Sequence, residues 1–539
     1  LTIGELWAYP QMLRIALIEN IHNLADKALA ELRERELADF WANRLMTVSR
    51  RDPNQLFAMM AELTHALPAP SPYFASQLID HLYDEEAALS PVQGWLELTY
   101  HRPLAERNLR EQNRQTREQI SIRNAITSLR QLALLDWRGL FEDLSQVERV
   151  LRSDPAGIYA GMDFDTRDRY RRAVEGIARG SGRPEVEVAR SAVERASQAA
   201  EGDELARHLG AYLIGGRRME FARLMGGRET LRFRLLQVVY SHPSAVYFSA
   251  AGLLSAGLLA LLVRSAFAGL SSWVQLGVAL LTLIPVSQIS LNLVDYLVTR
   301  LLPPRTLPKM DFEDSGIPDA FRTLVLVPEM LVDPAQIRAE VEKLEVRYLA
   351  NREANLLFGM FTDYRDSDEA RRDEDERLLQ EARGGLEALN RDYGGERFIL
   401  FHRDRSWSES EQKFIGRERK RGKLEELNRL IDGTRPEAAS GLVVVGDADL
   451  LADVRFVITL DSDTQLPSGT GRRLVETLAH PLNQPRFDAH GRIQPGTYTI
   501  IQPRVSPTLP SSSTTPFARL FSDAIGIDPY TKAVSDVNQ

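Results

Sequence analysis

Residues 246–263 form a run of eighteen positions without a charged side chain, and a second uncharged run follows at 273–289. A helix crossing the hydrocarbon layer needs roughly 20 apolar residues, so the first run sits near the lower limit. The second contains Gln275, Pro285 and Gln288 but no charge. Arg264 closes the first run, and Asp295 and Arg300 follow the second. Two spans joined by a turn at 265–272 make a transmembrane helical hairpin, expected over 241–300; the alternative is a pair of buried helices in a large soluble domain. Basic residues flank the pair: Arg217, Arg218, Arg223, Arg228, Arg232 and Arg234 before it, Arg300, Arg305 and Lys309 after it, against Arg264 alone in the turn. The positive-inside bias then puts both flanks in the cytoplasm, in one compartment.

The 539 residues suffice for two to four domains. Leu1 is not an initiator Met and nothing marks Gln539 as a natural end, so the chain is expected to be part of a longer protein. A net charge of −9, from 75 acidic and 66 basic residues, argues against a general nucleic-acid binder. Without cysteine there is no disulfide, thiolate nucleophile or cysteine-held metal, and the nine dispersed histidines lack ligand spacing. Any metal should therefore meet oxygen ligands. Residues 1–240 read as an all-α region: Thr2 and Glu5 suit a capping box, Leu6, Leu13 and Leu17 recur at helical intervals, and so do Ile122, Ile126 and Leu129. Pro68, Pro70 and Pro72 should separate helical units, and Trp137 and Phe141 read as core.

Residues 310–539 alternate differently. Thr323 to Val327 is a buried-type strand ended by Pro328; Asp333 and Pro334 suit the cap and first position of a helix reaching about Arg352. Further apolar runs lie at 354–362, 398–401 and 442–445, and the last, from Val454, ends in Asp461-Ser462-Asp463. Strands alternating with helices imply a mostly parallel, doubly wound (Rossmann-like) sheet, whose ligands bind at the carboxyl ends of the strands. Two carboxylates one residue apart at such an edge can share a hard divalent cation, which in turn neutralises the phosphates of a nucleotide. The bland reading of a D-x-D is a turn or a helix cap. Capping accounts for Asp163 and Asp165, Asp366 and Asp368 lie in an acidic loop, and Asp447 and Asp449 are the serious competitor. An aspartyl-phosphate motif would need Thr where Gln465 stands.

Arg417-Glu418-Arg419-Lys420-Arg421-Gly422-Lys423 is a basic cluster at a helix start, suited to a diphosphate or simply a solvated surface. Residues 498–505, including Gln502 and Arg504, read as a strand closed by polar residues, or more plainly as an edge strand stopped by Pro503.

Together these segments resemble the cyclic β-1,2-glucan synthases. The resemblance rests on Thr323-Leu324-Val325-Leu326-Val327-Pro328, Phe361-Thr362-Asp363-Tyr364-Arg365-Asp366, the 416–428 segment with its basic cluster, Leu460-Asp461-Ser462-Asp463-Thr464-Gln465-Leu466-Pro467, Ile501-Gln502-Pro503-Arg504-Val505 and the 526–537 segment, in that order. It implies a bacterial inner-membrane protein whose GT-A-like glycosyltransferase domain extends β-1,2-glucan from UDP-glucose in the cytoplasm, with inversion. It further implies that Asp461 and Asp463 hold Mg²⁺ or Mn²⁺, that Asp363 contacts the uridine, that Lys420, Arg421 and Lys423 lie near the phosphates, and that Gln502 and Arg504 line the donor or acceptor site. In related processive transferases the catalytic base and a Q-x-x-R-W motif follow the D-x-D. No Q-x-x-R-W follows Asp463 here. The expectation is that the base lies beyond Gln539, with the family's cyclising and phosphorylase-like domains, and that this piece alone is inactive. Two rival readings are a transferase forming another linkage, and a membrane-anchored scaffold without activity.

Overall fold

The computed structural model describes residues 1–100, 104–200, 203–227, 238–239, 241–267, 269, 271–302, 306–433, 442–494, 496–503 and 514–521. They fall into two compact units, Leu1–Arg149 and Val150–Gln539.

The first unit is helical. Its long helix, Ile3–Arg51, opens with the expected capping box: the Glu5 amide donates to Thr2 Oγ1 at 3.2 Å, and the Thr2 amide donates to Glu5 Oε2 at 2.8 Å. The second half of this helix packs with Leu56–Ala66, Pro72–Leu82 and Glu86–Tyr100 around Trp41, Leu45, Leu63, Phe74 and Leu78. Pro72 starts a helix rather than merely interrupting one, because its missing N–H falls where no intrahelical partner exists and Ser71 Oγ caps Phe74 N at 3.1 Å. Phe141 is buried and stacks on Trp7, as a core aromatic should.

The second unit begins with helices, among them Phe164–Ser181 and Glu185–Ser197. Asp163 is the cap of the first, accepting from Thr166 N at 2.9 Å, which is the role its sequence context indicated. Two helices follow, Pro243–Ala266 and Ser272–Leu301. Their spans, Pro243–Ser265 and Ser272–Val298, are long and apolar enough to cross a membrane, and only 6% and 11% of their most apolar windows are buried. Leu253, Leu261, Leu281 and Ile284 all stand exposed. Helices serving as the core of a soluble domain would bury such side chains. Among the described side chains of the pair, Ala251, Val286, Ser290 and Val294 are buried, and Tyr247 donates to Asp295 Oδ1 at 2.8 Å.

The chain leaving this hairpin is gripped from two sides. Lys309 N donates to Thr166 Oγ1 at 2.9 Å and Asp311 N to Gly161 O at 2.9 Å, on the Phe164–Ser181 side. Phe312 N donates to Glu476 Oε1 at 2.9 Å and Asn483 Nδ2 to Pro308 O at 2.8 Å, on the other.

A five-stranded sheet then forms from β1 (Thr323–Leu331), β2 (Leu356–Tyr364), β3 (Phe398–Arg403), β6 (Val443–Val445) and β7 (Phe456–Thr459), in the order β6-β3-β2-β1-β7. All pairs are parallel except β3 with β6. Every residue of β2 and β3 is buried, the signature of a parallel sheet covered on both faces. One face packs Val325, Val327, Phe358, Met360 and Leu400 under the helices Pro334–Ala350 and Asp375–Tyr393; the other packs Leu324, Leu326, Phe361 and Phe401 against Leu427 of the helix Arg419–Ile431.

Two strand expectations need correction. β1 does not end at Pro328 but continues to Leu331 along β2. Thr323 N bonds toward β2 and Leu326 O accepts from Leu460 on the β7 side, so alternation points the missing Pro328 N–H toward β7, whose pairing with β1 has already ended at Leu326. No ladder bond is lost there. Residues 498–503 form no strand; Ile500 is 83% exposed and the segment is tied by Tyr498 N to Asn483 O at 2.9 Å. An antiparallel pair missing from the sequence reading, β4 (Ser406–Ser408) and β5 (Lys413–Ile415), stands before the basic cluster.

Candidate functional site

In the strand order, β2 lies on one side of β1 and β7 on the other. The carboxyl ends of β1 and β7 therefore flank a topological switch point, the position where open α/β sheets bind ligands. Asp461 and Asp463 follow β7 at that point, and both are exposed. Among the described residues no group of three or more acidic or histidine side chains is placed to hold a metal. The pair instead offers two hard, acceptor-only carboxylates open to solvent, to which a diphosphate and water could add ligands, a donor set suited to Mg²⁺ or Mn²⁺. The competitor pair stands elsewhere: it follows β6, which runs antiparallel to β3 and so ends at the opposite edge of the sheet, and there Asp447 Oδ1 accepts from Asp449 N at 2.8 Å and caps the turn Ala448–Leu451.

Beside the aspartates lies the Arg419–Ile431 helix. Lys420 Nζ pairs with Asp461 Oδ1 in a short contact, while both side chains stay largely exposed. One turn further, Lys423 is buried, its ammonium 2.9 Å from Asp363 Oδ1 and also donating to Glu329 O. Asp363, near the end of β2, is itself only 3% exposed. Its second oxygen accepts from Arg403 Nη2 at 3.2 Å, and the same nitrogen donates to Arg419 O at 2.9 Å. Burial lowers the Lys423 pKa, and the Asp363 charge opposes that shift. The ends of β1, β2 and β3 are thus tied to the helix start by one buried network.

Close packing explains the glycines of this segment. A Cβ on Gly416 would lie 2.5 Å from Asp363 Oδ2, and one on Gly422 would lie 2.3 Å from Arg417 O. Glu418 and Arg419 take positive φ of 52° and 38°, an uncommon conformation that turns the chain from β5 into the helix. Arg419 then reaches Asp366 at 2.7 Å, and the Ser367 and Phe414 backbones exchange hydrogen bonds at 3.0 and 2.8 Å. The 361–366 and 416–423 segments, far apart in sequence, are thereby neighbours.

The remaining expected residues stand differently. Arg421 is turned to solvent, 3.5 Å from Glu418. Gln502 is exposed and lies outside any helix or strand. Arg504 lies outside the described residues. Two arginines escaped the sequence reading: Arg403, which ends the apolar run of β3, and Arg347, on the Pro334–Ala350 helix, which contacts the loop carrying the aspartates. The signal for Arg403 was a charge closing a buried strand at the ligand edge.

On the opposite face of the sheet, Thr362 Oγ1 lies 2.9 Å from His402 Nδ1, and Tyr364 packs on the His402 ring. Burial pushes the His402 pKa down to about 4 and that of Tyr364 up to about 12. Arg405 and Asp375 form a buried ion pair beside them.

No protein-family model matches the chain. It is 34% identical, over 558 aligned positions spanning all of this chain and 19% of the relative, to the cyclic beta-(1,2)-glucan synthase NdvB of Rhizobium meliloti (strain 1021). The chain thus spans about a fifth of that relative's length. The match covers the whole of this chain, so the sheet, its strand ends and the basic helix all fall within the part of that synthase to which the chain is similar.

Proposed function

We propose that the carboxyl edge of this sheet is the donor site of an inverting glycosyltransferase of GT-A type, which extends β-1,2-glucan from UDP-glucose for cyclic glucan synthesis. The observation that carries the reading is the placement of Asp461, at the switch point and against Lys420. Asp461 and Asp463 would hold Mg²⁺ or Mn²⁺. Bound there, a dication would neutralise the diphosphate and stabilise departing UDP. Lys420 and Arg421, both open to solvent, supply further positive charge for phosphate oxygens, whereas Lys423 and Arg403 hold the edge rigid through Asp363. Asp363, at the end of β2, remains the residue we assign nearest the uridine.

The two apolar helices would cross the bacterial inner membrane, with their basic flanks and the sheet on the cytoplasmic side, where nucleotide sugars are made. Growing glucan is the acceptor, and the parts of the relative outside this chain would cyclise it.

Calorimetric titration of UDP-glucose into the detergent-solubilised chain, with Mn²⁺ and with EDTA, tests the reading. Metal-dependent binding that an Asp461→Ala/Asp463→Ala variant loses is the expected result. Binding indifferent to both the metal and the variant would overturn the site assignment. Linkage analysis of the product of the whole protein separates the β-1,2 activity from another polymer.

A further inference from the structure

The loop that carries Asp461 and Asp463 is not self-supporting. Within it, Thr464 N donates to Asp461 O at 3.0 Å, and beyond that its carbonyls are met from a different element, the Pro334–Ala350 helix. Three side chains spaced four residues apart on that helix serve it in order. Lys343 Nζ lies 3.4 Å from Ser462 O. Arg347 donates through Nη2 to Ser462 O at 3.0 Å and to Thr464 O at 2.9 Å, and through Nε to Thr464 O at 3.2 Å. Asn351 donates to Leu466 O at 3.1 Å and accepts from Gly471 N at 3.0 Å, at the start of the helix Thr470–Ala479. Side chains four apart lie on one helix face about 6 Å apart, so the three make a row of posts roughly 12 Å long.

Arg347 is the unusual member. Its side chain is 4% exposed, yet its hydrogen bonds go to neutral carbonyls rather than to a carboxylate, and its Nη1 has no hydrogen-bond partner. A buried guanidinium is expensive and is retained where a rigid fork of donors fixes a geometry. Glu340, buried about two turns earlier on the same helix and 2.7 Å from Lys343, supplies negative charge nearby.

We infer that Arg347, with Lys343 and Asn351 on either side, is the positioning residue of the Asp461–Asp463 loop, fixing where its carboxylates stand at the edge of the sheet. The consequence for donor binding rests on the site proposed above; the positioning itself does not. Losing charged hydrogen bonds of this kind is worth about tenfold or more in a coupled equilibrium.

Two measurements on the full chain in detergent decide it. The first is amide exchange, read by mass spectrometry, in peptides covering 460–468 and in those covering β2 and β3. The second is titration of UDP with Mn²⁺. Arg347→Ala is expected to speed exchange in 460–468 at least about tenfold and to weaken Mn²⁺-dependent UDP binding about tenfold, with β2 and β3 unchanged. Arg347→Lys, which keeps the charge but not the fork, should fall between, and serves if the alanine variant does not fold. Unchanged exchange in 460–468 overturns the inference, as does acceleration spread equally over β2 and β3, which would mark a general packing role. If the wild type binds and Arg347→Ala binds equally well, the inference fails while the donor site stands. If exchange responds as expected but the wild type binds no Mn²⁺–UDP, the positioning holds and the donor site is wrong.

Discussion

Asp363→Asn keeps the shape of the side chain at the centre of the site and removes its charge, leaving two buried cations facing an amide. Arg403 retains Glu426, 3.3 Å away and partly exposed; Lys423 retains only the Glu329 carbonyl. Breaking a buried ion pair by removing one partner typically costs about 3–5 kcal/mol. Because this protein has two compact units and two apolar helices, a single unfolding midpoint is a poor measure, and local opening is a better one. Amide exchange in β2 and β3 should accelerate by about 10²-fold or more, each decade being about 1.4 kcal/mol. A pH signature accompanies it. The variant's Lys423 would have a folded pKa still further below its unfolded value, so the unfolded state binds the extra proton and stability rises with pH. The penalty relative to wild type should therefore shrink as pH rises toward the unfolded lysine value of about 10.4 and Lys423 sheds its proton. Asp363→Asn/Lys423→Met, which removes both charges, should recover much of the loss, with a coupling energy of roughly 1–3 kcal/mol. Acceleration under about tenfold in the single variant, or simple additivity in the double, would refute the account of a buried charge network tying β2 to the helix.

Three further outcomes follow from the same geometry. Gly422→Ala should destabilise by about 1–3 kcal/mol, contrary to the usual gain for such a change in a helix, because the added methyl meets the Arg417 carbonyl; the exchange of residues 419–431 reads this directly. Asp333→Ala removes the acceptor of Ala335 N and Gln336 N and should cost about 1 kcal/mol, seen as fraying confined to the first turn of the Pro334–Ala350 helix. His402 is held neutral with a pKa of about 4, so between an unfolded pKa near 6.5 and that value the unfolded state binds more protons and stability falls as pH falls. The effect is about 3 kcal/mol across that window and flat below it; His402→Gln should abolish that part of the acid sensitivity in a pH series of local unfolding.

Much of this architecture was legible because it depends on local chemistry. The Thr2–Glu5 box, the Asp333–Pro334 start, the apolar runs of β1, β2 and β3 and the uncharged runs of the hairpin each express a preference that tertiary packing reinforces. Pro328 misled because a proline reads as a strand end unless one knows that the neighbouring strand has already stopped. Residues 498–503 misled because β-branched residues beside a proline match an edge strand, and only the sheet decides whether an edge is there to take them. Within the site, Asp461 and Lys420 could be named from the motif and the basic run. That Asp363 would be buried between Arg403 and Lys423 could not, since its partners lie 40 and 60 residues away in the chain. Arg347 was invisible for a related reason. On an amphipathic helix full of Lys, Arg and Glu, nothing local separates the arginine that faces a loop from those that face water.

The segment between the hairpin and the sheet carries a mechanical consequence. The second apolar helix ends at Leu301, and Arg169 already holds the Thr306 carbonyl. Five residues of fully extended chain reach at most about 18 Å. Past that point, Thr166 and Gly161 on one side and Glu476 and Asn483 on the other pin the segment that leads into the sheet. With the hairpin seated in a bilayer, such an attachment acts as a mount and not as a leash. Under the function proposed above, the edge would stay near the lipid, and a polymer made there would grow at the membrane surface instead of being released into open solution.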